Sequence, residues 1–302
     1  MDHIIYYFAR LVIALFQAMP IRWVARLGRF GGGMAFWLDK RHRVVALKNL
    51  TMIFAKEKSA GEIRALAREN FRRLGEIYCC IMKTAGMSDD GIRSILSVKG
   101  GDALKGFEPD GKLSNRVLSS GHFGNFELAT RIGAVIPGYR ALATYRGIKP
   151  AKLNDLLVRM RTVSGNLVFD RRTGADELKR AMSQGGLLLT LAVDQADRSG
   201  GLELPFMGYY AWTTRAPVVL AMRYKCALFV PICYRVGLAQ WTVEIGEPVA
   251  MQDNGKRRSV EDILRDINVR LEAAVRRDPA NWFWVHNRWK TKRGIPPRPV
   301  EL

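Results

Sequence analysis

Hydrophobic positions fall into two textures along the chain. Up to Gly100 they recur at helical spacing: Val44, Leu47, Leu50 and Phe54 mark one face of a helix after Lys40. Ile63, Leu66, Phe71, Leu74, Tyr78 and Met82 mark another over Ala60 to Thr84, and both read as core contacts. After Gly100 short apolar runs alternate with amphipathic stretches. Strands are expected at Val117-Leu118, Ala141–Tyr145, Leu167–Phe169 and Leu187–Val193, with helices from Phe126, over Ala151–Val163 and over Ala175–Gln184. Gly200-Gly201 and Pro205–Gly208 suggest a loop, and Thr213-Thr214 a cap before a helix Ala216–Tyr224. Strands Ala227–Tyr234 and Trp241–Ile245 and an acidic amphipathic helix Val260–Arg276 complete the pattern. Strands separated by helices imply an α/β domain, with a sheet covered on both faces and ligands at the carboxyl ends of its strands.

Polar residues gather at those ends. They are His122 after the first strand, Tyr145-Arg146 after the second, Asp170-Arg171-Arg172 after the third and Asp194-Gln195 after the fourth. The first lies in Ser119-Ser120-Gly121-His122-Phe123-Gly124-Asn125-Phe126-Glu127, where Gly121 and Gly124 permit a sharp strand-to-helix turn and close approach of a ligand. Residues five apart do not share a helix face, so His122 and Glu127 meet only if the histidine is in the turn and the glutamate in the first helical turn. A carboxylate so placed fixes the tautomer of a histidine acting as general base. Bonding of a turn histidine to backbone is the competing reading.

The amino terminus adds a second feature. Ile4 to Pro20 is apolar with Arg10 as its only charge, near the minimum length of a membrane span, and a further apolar patch runs from Phe30 to Leu38. Arg22, Arg26, Arg29, Lys40, Arg41 and Arg43 all follow Pro20, and by the positive-inside rule this keeps the bulk of the chain cytoplasmic. No basic n-region or small-residue cleavage site marks it as a signal peptide. A single span, an interfacial helix and a buried core helix remain open. The chain divides into a membrane-associated segment 1–38 and a domain 39–302, with a helical lead-in 39–100 and a catalytic core 101–302.

Composition sharpens the choice of partner. The 302 residues, 48% hydrophobic, suffice for a large core, and the net charge of +20 calls for an anionic partner. The four cysteines lack zinc spacing and read as buried thiols in a reducing compartment. Asn281 to Lys290 interleaves aromatic and basic residues and is open to nucleic-acid stacking, an interface or packing onto the sheet.

The motif GHFGNFE resembles the His-x4-acid motif of bacterial late lipid A acyltransferases, the lauroyl and myristoyl transferase group of the lysophospholipid acyltransferase superfamily. Lys40–Arg43 with Lys48-Asn49-Leu50, Thr144-Tyr145-Arg146 with Leu156 to Arg161, Val193-Asp194-Gln195 through Gly208, and Trp284–Lys290 are similar to further family blocks in the same order. Lys149-Pro150 departs from the family's usual Asn-Pro, which bears on acceptor or donor preference. The resemblance implies a glycerolipid acyltransferase-like α/β fold with a mixed sheet. It also implies transfer of a fatty acyl chain from a thioester, on acyl carrier protein or as acyl-CoA, to a hydroxyl of an anionic glycolipid, a lipid A precursor. The setting would be the cytoplasmic face of the inner membrane, among its lipids, with no metal, organic cofactor or nucleic acid.

On this reading His122 deprotonates the acceptor hydroxyl, Glu127 holds the imidazole, and the oxygen attacks the thioester without an acyl-enzyme; Ser119 and Ser120 are the nearest hydroxyls to test against that. Backbone N–H groups near Gly124, or a strand-end arginine, are candidate donors to the oxyanion. Asn125, Arg146, Arg161, Arg171, Asp194 and Gln195 are expected to bind substrate: the arginines as phosphate clamps, Asp194 in support of the site, and Gln195 on the substrate or a loop. A lysophospholipid or other glycolipid acceptor is the alternative within the superfamily. A non-catalytic basic protein binding membranes or nucleic acid also explains the charge, but leaves the polar strand ends without a purpose.

Overall fold

The computed structural model describes every residue except 1, 146, 163–164, 171–173, 292–294 and 302, and every described side chain except those of Asp2 and Thr130. Helices form the first part: α1 (Asp2–Ala18), α2 (Ile21–Leu38), α3 (Lys40–Phe54), α4 (Ala60–Thr84) and α5 (Asp89–Arg93). α4 begins at a capping box, in which the Ser59 hydroxyl accepts from the Glu62 N–H and Glu62 Oε2 accepts from the Ser59 N–H at 2.8 Å. Where α2 crosses α4, glycines replace side chains. A Cβ on Gly28 would lie 2.4 Å from the Gly75 oxygen, and one on Gly32 would lie 2.1 Å from that of Phe71. Only bare backbone permits so close a crossing. Beside it the buried Glu76 receives Arg29 at 3.3 Å, Arg235 at 2.9 Å and the Ala239 N–H at 2.9 Å. These bonds offset the cost of burying the charge. Segment 1–38 is thus joined through α2 to the remainder of the chain.

The rest alternates. β1 (Leu96–Lys99), β2 (Arg116–Ser120), β3 (Arg140–Tyr145), α6 (Ala151–Arg161), β4 (Leu167–Asp170), α7 (Ala175–Met182) and β5 (Leu187–Ala192) come first. β6 (Leu202–Phe206), β7 (Tyr209–Thr213), α8 (Ala216–Arg223), β8 (Ala227–Phe229), β9 (Ile232–Gly237), β10 (Gln240–Glu244), β11 (Gln252–Asp253), β12 (Lys256–Arg257) and α9 (Val260–Arg277) follow. The central sheet is wholly parallel, in the order β4-β3-β5-β2-β8. A second sheet, β1-β10-β9, is mixed.

Successive residues of each central strand face opposite sides, and both sides are covered. Val117, Leu142, Leu187, Leu189 and Leu228 pack with Leu50, Phe54, Ile63, Val218 and Ile263 from α3, α4, α8 and α9. Leu118, Ala141, Leu188 and Phe229 pack on the other side with Val24, Leu128, Ile132 and Trp241. The expected α/β class with sheets between helices is the observed one.

Local expectations differ in four places. The helix after His122 is a 3-10 helix, Phe126–Ala134. The segment expected as a loop is the β6–β7 hairpin, which turns at Met207 (φ 53°) and Gly208 (φ 80°). Thr213 ends β7 and Arg215 stands at the N-cap of α8, with Thr214 Oγ1 3.5 Å from the Ala216 N–H. The strand expected over Ala227–Tyr234 is split into β8 and β9 around Pro231, which has no N–H to donate.

Candidate active site

β2 and β5 are neighbours, with Ser120 paired to Ala192 in register. Each chain continues two residues past that pair, β2 to His122 and β5 to Asp194, so the two side chains emerge side by side. Gly121 makes room: a Cβ there would lie 3.2 Å from Asp194 Oδ2. Gly124 is required twice over, by its φ of 58° and by the Cys233 oxygen 2.0 Å from where a Cβ would stand.

Asp194 is buried and accepts three hydrogen bonds. The His122 N–H donates at 2.6 Å, His122 Nδ1 at 2.7 Å and Trp282 Nε1 at 2.8 Å. With Nδ1 donating to a carboxylate, the neutral imidazole leaves its lone pair on Nε2, where the Gln195 amide nitrogen lies 3.3 Å away. Phe126 and Phe283 flank the ring at 4.9 and 5.6 Å between centroids.

Burial is the largest influence on His122 and favours the neutral form. The charge and hydrogen bond of Asp194, joined by the charge of Glu127, outweigh it and raise the pKa above its ordinary value. Burial likewise pushes Asp194 toward protonation, yet the His122 charge and the converging N–H groups hold its carboxyl below the usual range.

The carboxylate on Nδ1 is therefore Asp194, where the sequence pointed to Glu127. Glu127 lies in the first turn of the 3-10 helix, as its spacing required, and binds Arg161: Nε donates at 2.9 Å and Nη2 makes a second, short bond. It reaches His122 through its charge. His122, Glu127 and Arg161 all line one cavity of about 150 Å³, carpeted by Ala129, Ala141, Ala143 and Ala192. An apolar cavity of about 40 Å³ shares Gly121, Phe126 and Thr190 with it and is walled by Leu118, Ile132, Val243 and Ile245. Asn125 lines this second cavity, fully buried, with neither amide atom hydrogen-bonded.

Of the other candidates, Arg146, Arg171 and Arg172 lie outside the described residues. The Gly124 N–H is committed to the Asn281 oxygen at 2.9 Å. Ser119 is fully buried and lines neither cavity, whereas Ser120 lines both. Burial pushes Cys233 up to about 12 and Cys226 up to about 11, which keeps both thiols protonated at neutral pH.

The carboxyl-terminal stretch packs beneath this site. Phe123 forms an isolated antiparallel bridge with Trp282. The Asn70 amide donates to the Ala280 and Trp282 oxygens at 2.9 and 2.6 Å, and Asn49 donates to those of Trp284 and His286, each at 2.9 Å. Arg288 is buried and donates to the Gln195 oxygen at 3.1 Å, to Thr213 Oγ1 at 2.7 Å and to the Trp212 oxygen, with the Phe206 ring 5.3 Å away. Burial lowers its pKa to about 10, opposed by the Asp194 charge, so it stays a cation at neutral pH. Of the three readings open for this stretch, packing is the one observed. The part of Trp282 as a donor to Asp194 had no signal in the sequence, because the two are brought together only by the fold.

A sequence profile of the bacterial lipid A biosynthesis acyltransferase family matches residues 1–291. The chain belongs to that family. As a lipid A biosynthesis acyltransferase by family, it is similar to the lipid A biosynthesis palmitoleoyltransferase of Escherichia coli strain K12, at 26% identity over 290 residues, covering 93% of this chain and 89% of the relative. The same figures hold for the lipid A biosynthesis acyltransferase of Shigella flexneri. The acyltransferase activity foreseen from the motifs is that of the family.

Proposed function

We propose that the protein transfers a fatty acyl chain from a thioester donor to a hydroxyl of a lipid A precursor, with His122 as general base. The observation that carries this is the Asp194–His122 pair, whose Nε2 is left as an acceptor on a cavity lined by small apolar residues. Nε2 takes the proton of the acceptor hydroxyl as its oxygen bonds to the thioester carbonyl carbon. The carbon–sulfur bond then breaks, and the leaving thiolate takes the proton back from the imidazolium. Asp194 orients the ring and stabilises the imidazolium, and Glu127 adds negative charge nearby. The Asn125 amide, which lines the adjoining cavity without a hydrogen-bond partner, is the proposed donor to the carbonyl oxygen as charge develops there; the Gly124 N–H is already committed to Asn281. Arg161 supplies a cation for an acceptor phosphate.

The outer helices support a membrane setting. Among the described residues no helix is long and apolar enough to cross a membrane. α1 nevertheless exposes Tyr7, Phe8, Leu11 and Leu15, and α2 exposes Trp23, Leu27, Phe30, Met34 and Trp37 in one stripe. Exposed Arg22, Arg26, Lys40 and Arg41 lie beside this surface. That combination suits helices lying in the interface of an anionic leaflet on the cytoplasmic side of the inner membrane. The test supplies labelled acyl carrier protein thioester or acyl-CoA with lipid A precursor or lysophospholipid in vesicles. Label in the lipid A precursor, lost in His122→Ala with the fold retained by circular dichroism, is expected. Undiminished transfer by His122→Ala would refute the mechanism, and label only in the lysophospholipid would refute the acceptor.

A further inference from the structure

Two further cavities lie between the catalytic one and the outer helices. α1 and α6 enclose a cleft of about 290 Å³ with Ile13, Leu156 and Met160 along it and Arg10 and Arg159 exposed at its rim. Its lining holds no carboxylate among the described residues. A neck of about 20 Å³ follows, which shares Ala85 and Met160 with the cleft and Glu127 and Arg161 with the catalytic cavity. The three spaces are neighbours divided by shared walls, and the Glu127–Arg161 ion pair stands between the neck and the catalytic cavity.

The two sides of the cleft are held differently. The end of α1 is tied to α4, with Gln17 Nε2 donating to the Met82 oxygen at 3.3 Å and Lys83 Nζ to the Gln17 oxygen at 2.5 Å. α6, which carries Leu156, Arg159, Met160 and Arg161, has no fully buried side chain. An element with so little burial separates from its neighbours at low cost.

We propose that cleft, neck and cavity form the route by which a membrane lipid with a phosphate and a hydrocarbon chain reaches His122 from the bilayer side, with the Glu127–Arg161 pair as its gate. This rests on the acyl-transfer reading of the site and names the path of its acceptor. The paired arginines match a phosphate, and Ile13, Leu156 and Met160 along the cleft match a chain, while Glu127, Arg131 and Arg161 make the neck polar. The mouth is bounded by α1, whose outer face carries the exposed apolar residues, so a lipid can enter without passing through water. A phosphate arriving at the neck competes with Glu127 for the Arg161 guanidinium, and α6 moves outward as the pair opens.

The test uses the full chain on phosphatidylcholine vesicles containing phosphatidylglycerol with a photoactivatable group in mid-chain. Labelling within α6 and the facing part of α1 is expected. In the double variant Arg10→Ala/Arg159→Ala, altered only at exposed helical positions, labelling there falls roughly tenfold. In the transfer assay the same variant raises KM for the acceptor in vesicles, with the loss falling on KM rather than kcat. Labelling confined to the outer stripe of α2, or cleft labelling undiminished in the double variant, overturns the route. So does full protection by millimolar glycerol phosphate, which reports a phosphate site with no part for the chain. Because labelling needs no turnover, the two readings fail separately: cleft labelling without acyl transfer sinks the function alone, and transfer without cleft labelling sinks the route alone.

Discussion

Replacing Asp194 by Asn tests the catalytic geometry most directly. Three N–H groups converge on an acceptor-only carboxylate, with Nδ1 of His122 on one oxygen and the His122 N–H and Trp282 Nε1 on the other. Asparagine offers one oxygen, and its NH2 must then face a donor. If the oxygen stays with the two N–H groups, the amide can donate only to an unprotonated Nδ1. The ring proton then moves to Nε2, the atom that has to receive one. Loss of the carboxylate from a comparable histidine–aspartate pair lowers kcat by about 10^4, and a drop on the order of 10^3 to 10^4 is expected here, about 4–5.5 kcal/mol.

The pH profile shows the cause. In the wild type burial disfavours the imidazolium, but the charge and bond of Asp194 and the charge of Glu127 prevail, so kcat/KM falls as pH drops through a value above about 6.5. In Asp194→Asn burial becomes the dominant influence, and the inflection moves below that value. The sign for stability is opposite on the two partners. The raised His122 contributes fully below its unfolded pKa and loses its contribution as pH rises through the folded one. The depressed Asp194 contributes above its unfolded pKa and loses its contribution on acidification. The pair therefore adds most between about 4 and 6.5, and the variant's melting temperature should lose that feature. Label transfer gives the rate, and the imidazole proton resonance gives the titration. A variant that keeps more than about a tenth of wild-type turnover, with His122 titrating unchanged, would refute the reasoning.

Trp282→Phe keeps an aromatic ring but deletes the 2.8 Å bond to the buried Asp194, and kcat should fall roughly 10- to 100-fold, with a loss of about 1–3 kcal/mol in denaturant unfolding. Gly75→Ala places a Cβ 2.1 Å from the Gly28 oxygen and forces α2 from α4, at about 1–3 kcal/mol in denaturant unfolding. Arg288→Met removes a buried cation with three acceptors and should cost about 3–5 kcal/mol; Arg288→Lys should not restore it, because the guanidinium fork spans partners on two segments. Stability of Arg288→Lys equal to wild type would contradict that account.

Much of the fold was legible because helix and strand announce themselves through local period. Residues at 63, 66, 71, 74, 78 and 82 define α4 with its observed ends Ala60–Thr84, and apolar runs mark β2, β3, β4 and β5 within a residue or two. The β6–β7 hairpin is hidden in the sequence because Pro205 and the Gly pairs read as loop signals, whereas pairing between the two strands overrides them. The collection of polar residues at four strand ends was also local information, and it pointed to His122, Asp194 and Gln195, while the spacing from His122 pointed to Glu127 and the family resemblance to Arg161. Which of them touch was not. Glu127 is five residues from His122 and Asp194 is 72, so proximity along the chain favoured the wrong hydrogen-bonding partner for Nδ1. The choice lies in the sheet order, which sets β5 beside β2, and in the pairing of Ser120 with Ala192, which brings both turns out at one level. Burial is settled at the same scale: the aromatic and basic residues from Trp282 to Trp289 have the composition of a surface patch, yet Trp282, Trp284, Arg288 and Trp289 are interior, with the backbone held by Asn49 and Asn70 and the Arg288 guanidinium held by the end of β7. Sequence alone determines elements whose energetics are summed over neighbours along the chain; contacts between elements depend on register and packing, and only the folded structure decides those.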